Sequence, residues 1–179
     1  MTDTASATAN PKNFVVEKVA KYNTVETLKK KYPDANPNQG VGMFDEGTVE
    51  RAYTILYPNT KNEIHIIWDS PERNKLHQIY FSNEGDWKSE KSIAIGTTYE
   101  ELVARNGKPI KVYGFGWDYS GAVDWDGGKL QNSKLQVFLK PANEPNPKFY
   151  GDQVINPTEE ELKTLNLTVG QIIYHIGND

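Results

Sequence analysis

Cysteine is absent from the 179 residues, which removes disulfides, thiol catalysis and cysteine-ligated zinc or iron–sulfur centres together. No apolar run is long enough to cross a bilayer, so the chain reads as a soluble domain. A dominant charge is also missing. The 24 acidic and 20 basic residues leave a net charge of −4, too mild and too well mixed to mark a nucleic-acid surface. Histidine is scarce, and His65, His77 and His175 sit singly, without the H-x-H or H-E-x-x-H spacing that places metal ligands on one element. No serine lies in a G-x-S-x-G elbow; Ser120, in Tyr119-Ser120-Gly121, lacks it. Gly114-x-Gly116 sits inside a strand pattern with no helix opening after it, so it is not a dinucleotide fingerprint. These absences leave no expected catalytic residue, metal ligand or cofactor.

Aromatic residues are plentiful. Four Trp, ten Tyr and six Phe, with many Thr, Val and Ile, favour sheet over helix. A body of about 150 residues buries roughly 70% of its unfolded surface, enough for a core without disulfides. Residues 1–13, MTDTASATANPKN, are small and polar and read as a disordered tether. They lack the basic start and apolar middle of a signal peptide; one explanation is a lipoprotein whose signal and anchoring cysteine lie upstream, and a bland cytoplasmic tail is the other.

Three strings look like helix starts: Thr24-Val25-Glu26-Thr27-Leu28, Thr98-Tyr99-Glu100-Glu101-Leu102 and Thr158-Glu159-Glu160-Glu161-Leu162. Threonine caps the free N–H groups of a first turn, early glutamates suit the positive end of the helix dipole, and Glu101 and Glu161 stand where a capping box requires them. The first helix should stop near Tyr32-Pro33 and the second near Asn106-Gly107-Lys108-Pro109. Strand patterns follow the first helix over Val49 to Tyr57, Glu63 to Asp69 and Leu76 to Ser82. They follow the second over Ile110 to Tyr119, Ala122 to Asp126, Lys134 to Lys140 and Gln171 to Ile176. The chain therefore reads as α+β, two tandem helix-plus-antiparallel-sheet repeats over 14–92 and 93–179, with a proline-rich insertion at 141–157.

The stretch Ile110 to Tyr119 puts Tyr113, Phe115, Trp117 and Tyr119 on one face of a strand and Gly114 and Gly116 on the other. The glycine side is expected beneath a helix, because glycine is kept where another chain segment comes close. The aromatic side, joined by Trp125 from the next strand, is the candidate binding surface: such rings accept an apolar anchor of another protein or stack on sugar. The competing reading is that this side is core. Asp118, Asp124 and Asp126 offer a weaker carboxylate hydrolase, but no calcium-loop spacing follows and Asp126-Gly127 reads as a turn. Lys29, Lys30 and Lys31 suit the C-terminal end of the first helix without any partner.

The string of Gly96, Thr98, Leu102, Gly107 and Pro109 resembles the helix-to-strand signature of the outer-membrane lipoprotein assembly-factor family of the small protein A type, and the repeats of β-lactamase-inhibitor-protein-like folds. The segment from Asn106 to Leu130 is similar to uncharacterised lipoproteins of Bacteroidetes-type bacteria. The resemblance implies a periplasmic or outer-surface location in a bacterial cell envelope and a non-enzymatic role, as inhibitor or assembly factor, with a protein partner. A carbohydrate or cell-wall-binding module using the same aromatics is the alternative.

Overall fold

The computed structural model describes residues 14–176, so the expected tether at 1–13 lies outside the described residues. In chain order the elements are α1 (Val16–Val19), α2 (Val25–Lys31), β1 (Asn38–Phe44), β2 (Val49–Leu56), β3 (Ile64–Trp68), β4 (Leu76–Phe81), α3 (Tyr99–Asn106), β5 (Lys111–Val112), β6 (Val123–Asp124), β7 (Leu135–Lys140), α4 (Glu159–Leu165) and β8 (Thr168–His175). The fold is α+β.

All three threonines cap as their sequence context requires. Thr24 accepts the Thr27 N–H, while Thr98 with Glu101 and Thr158 with Glu161 form complete reciprocal boxes. Gly107 ends α3 in the left-handed region at φ 75°, a conformation glycine adopts without strain. Short helices of this kind are held by packing more than by propensity. Accordingly Leu28 and Leu102 are fully buried, with Val25, Tyr32, Tyr99 and Val103 around them.

Six strands form one antiparallel sheet in the order β1-β2-β3-β4-β8-β7. Because β8 pairs with β4 on one side and β7 on the other, the last strand of the chain joins the two halves, and one core cluster spans both. Past β7 the sheet continues irregularly: Ala122 bridges Phe138, β6 pairs with β5, and Tyr113 bridges Val154.

Register separates the two faces. Thr54, Ile66, Ile79, Tyr174 and Leu135 lie across from one another and point into the core, where the Trp68 indole N–H bonds the buried Thr54 hydroxyl at 3.0 Å. The intervening row, Ile55, His65, Tyr80, Ile173 and Gln136, takes the opposite face, and none of these side chains belongs to the core cluster.

Two expectations need correction, and one strand was not foreseen. The strand foreseen from Ile110 to Tyr119 is a strand only at Lys111–Val112. Beyond Tyr113 the backbone turns away: Gly116 has φ 78°, and the Ser120 N–H bonds back to the Trp117 carbonyl at 3.0 Å. The glycine side does not lie under a helix. A side chain at Gly114 would strike the carbonyls of Phe149 and Gly151, so it is the proline-rich segment that lies against it, with Phe115 and Phe149 bonded main chain to main chain at 2.9 Å. Finally, β1 carries no strand signal in its glycine-rich sequence NQGVGMF and forms through unbroken pairing with β2.

Candidate functional site

The five aromatics proposed from sequence divide two ways. Phe115 and Trp125 are core residues, at 4% and 5% exposure, which removes them from any binding surface. The turn after Gly114 destroys the alternation that would have kept Phe115 beside its neighbours, and the Trp125 indole is tied to the Leu135 carbonyl at 3.1 Å. Tyr113, Trp117 and Tyr119 do come together. Trp117 lies 6.3 Å from the Tyr113 ring and 5.4 Å from that of Tyr119, with its indole N–H bonded to the Gly114 carbonyl at 2.9 Å. Tyr119 is half exposed. With Ala122, Gln136 and Asp152 these rings line an open cleft of about 470 Å³.

The cleft is not isolated. Tyr113, Ala122 and Phe138 follow one another across the strands by hydrogen bond and bridge, which places the cleft at one end of the face opposite the core. Along that face stand Phe138 on β7, Ile173 on β8, Tyr80 on β4, Tyr53 and Ile55 on β2 and Phe44 on β1, all partly exposed. Ile67 on β3 is fully buried yet stands outside the core cluster, covered by its neighbours on this second face. Sequence reasoning missed this belt, although Phe138 is out of keeping among Lys134, Gln136 and Lys140, and that was its available signal.

The polar groups of the face are locally satisfied. His65 donates its Nε2–H to the Glu63 carboxylate at 2.8 Å, stacks on Tyr80 at 4.6 Å between ring centres and bonds the Tyr80 hydroxyl at 3.0 Å through Nδ1. The Asn59 main-chain N–H and then His65 hold the Glu63 carboxyl below its ordinary range. His175 meets Gln136 at 2.8 Å, and its pKa is pushed down by burial and then by the neighbouring His77. His77 in turn faces Asp69 at 3.1 Å.

The carboxylates read as a weaker catalytic alternative have other work. Asp124 accepts the Asp126 N–H at 2.8 Å, closing the turn, and Asp126 pairs with Lys111 at 2.7 Å and with Lys108 at 3.6 Å. Those hydrogen bonds and charges lower the Asp126 pKa and raise that of Lys111. Asp118 is exposed on the turn. Among the described residues no group of three or more His, Cys, Asp or Glu side chains is placed to hold a metal ion.

No family model and no curated protein matches the chain. Among solved structures it is similar to the uncharacterized protein yfeY from Escherichia coli, with 14% sequence identity and a TM-score of 0.50 over 84% of this chain and 86% of that one. At that identity the likeness is one of fold, and it agrees with an α+β architecture built on an antiparallel sheet.

Proposed function

We propose that this chain is a non-enzymatic cell-envelope protein that binds another protein through the sheet face opposite its core, with Tyr113, Trp117 and Tyr119 as anchors at one end. The observation that carries the reading is the belt of Phe44, Tyr53, Ile55, Tyr80, Ile173 and Phe138, partly exposed and outside the core. Partly exposed apolar and aromatic side chains gathered on one sheet face, here interspersed with His65 and Gln136, suit a surface that a partner covers, and Tyr and Trp are enriched at protein interfaces. The envelope location and the inhibitor or assembly role rest on the sequence resemblance. The reading of the halves as related repeats belongs with it, supported by a Thr-capped helix ahead of β1–β4 in one half and ahead of β5–β7 in the other.

A glycan-binding module would use the same cleft, where Gln136 and Asp152 offer hydrogen bonds beside the rings. Sugar stacking needs a ring face turned outward. Trp117 and Tyr119 instead tilt against one another at 57°, which favours the protein partner. Tryptophan fluorescence against a panel of oligosaccharides and peptidoglycan fragments separates the two. The proposal expects no saturable shift with any sugar, and stoichiometric capture of a single envelope protein that Trp117→Ala weakens. A sugar-dependent shift abolished by Trp117→Ala would replace it with the glycan reading.

A further inference from the structure

The sheet has two ends, and they are finished differently. At β7 the sheet is continued by residues 121–124, and the Lys111–Phe115 stretch is covered in turn by residues 149–155. At β1 no described residue pairs along the outer side. Alternate residues of an edge strand turn their N–H and C=O groups away from the sheet, which makes a ready template for another strand.

Proteins normally disarm such an edge with lysine, proline, a bulge or brevity. β1 has none of these: it is seven residues long, uncharged, without proline, and pairs with β2 in unbroken register from Asn38–Ile55 to Phe44–Val49. Its Val41 and Met43, at 57% and 58% exposure, are the most exposed large apolar side chains among the described residues. By register they stand on the core side of the sheet, beside Ala52 and Glu50. Val41 and Ala52, with the buried Trp68 and with Pro71, line a shallow recess there. An added strand would find both main-chain partners and a small apolar ledge.

The charges around this edge choose the occupant. From Pro33 to Glu50 the acids are Asp34, Asp45, Glu46 and Glu50 with no lysine or arginine, and the basic run Lys29, Lys30 and Lys31 belongs to the last turn of the preceding helix α2. Arg51 is held between Asp45 and Asp69, and Arg73 donates to the Gly40 carbonyl at 3.0 Å; no ion pair among the described residues involves Glu46 or Glu50. A second copy added antiparallel would bring the unpaired Glu46 at its hairpin tip towards the Asp34 end of the first, like charge on like. The acids therefore protect against self-association while leaving the main chain free, the effect that charged flanks have beside hydrophobic strands. We propose that β1 is a strand-addition site for an extended segment of another protein that carries basic side chains at its ends and small or β-branched residues between them.

Two synthetic nonapeptides with the same Thr-Val alternating centre test this, one with lysine and one with glutamate at both ends. They are titrated into the 15N-labelled protein at low salt. The lysine-ended peptide should shift the amides of residues 38–44 and bind at least ten-fold more tightly than the glutamate-ended one. N-methylation of alternate peptide nitrogens should abolish the shifts. The double substitution V41K/M43K should weaken binding at least ten-fold with the melting temperature unchanged; if that variant does not fold, the N-methylated peptide still decides. Equal binding of the two peptides, shifts centred away from β1, no binding at millimolar peptide, or dimerisation of the free protein through β1 would each overturn the proposal.

Discussion

Replacing Asn106 by alanine should be costly for a single polar substitution, because one side chain ties two loops to the end of α3 through three main-chain groups. Asn106 is 1% exposed. Its amide donates to the carbonyls of Trp125 at 2.9 Å and Lys108 at 3.1 Å, and its oxygen accepts the Leu130 N–H at 3.2 Å. Any side chain at Gly128 would collide with it, so the loop before β7 is built against this amide. Each such bond contributes about 1 kcal/mol net, and an orphaned buried carbonyl or N–H adds its own desolvation cost, so Asn106→Ala should lose about 3 kcal/mol. For a domain of this size that is about 6 to 12 °C in melting temperature. Urea unfolding followed by tryptophan fluorescence measures it, with Lys129→Ala as a surface control. A loss below about 1 kcal/mol would refute the reasoning, since it would mean that the three main-chain groups find water or other partners when the amide is removed.

Neighbouring residues on opposite faces of β8 should behave oppositely. Ile172→Ala, in the core, should cost about 2 to 5 kcal/mol, whereas Ile173→Ala, on the other face, should cost under about 1 kcal/mol in the same unfolding experiment. Thr98→Ala should lose about 1 kcal/mol by removing the cap of α3, and Thr98→Ser should recover most of it. His175 should titrate below the ordinary imidazole range by NMR, and His77→Gln should move it back upward. The sign follows from proton binding: a depressed folded pKa means that the unfolded chain takes up the proton first, so this residue's contribution to stability is intact above about pH 6.5 and is lost as pH falls below it.

Three of the four α-helices were legible in the sequence because their determinants are local, whereas α1, which has no side-chain cap, was not. Thr98 with Glu101 and Thr158 with Glu161 are contacts within one turn, and Gly107 marks its own stop. The strands β2, β3, β4 and β7 were legible from alternation, as Ile64, Ile66 and Trp68 illustrate. What could not be read was decided by distant residues. β1 exists because β2 pairs with it; Phe115 is core because residues 149–155 draw its backbone into register with theirs. The aromatic period of two between Tyr113 and Tyr119 imitates a strand, yet Gly116 and the 117–120 turn break it. The second apolar face is not visible in the sequence because its members are spread over separate strands, one or two to each, and only pairing sets Ile55, Tyr80 and Ile173 in one row with His65.

The central claim, that the face opposite the core is the docking surface, is tested most directly by site-specific photo-cross-linking. A benzophenone amino acid placed at Phe138 or Ile173 is compared with one at Glu100 on α3, in a bacterial cell-envelope extract. The account predicts a single discrete adduct from the two sheet positions, reduced by Trp117→Ala, and none from Glu100. Adducts from α3 alone, or equal labelling from both sides, would contradict it.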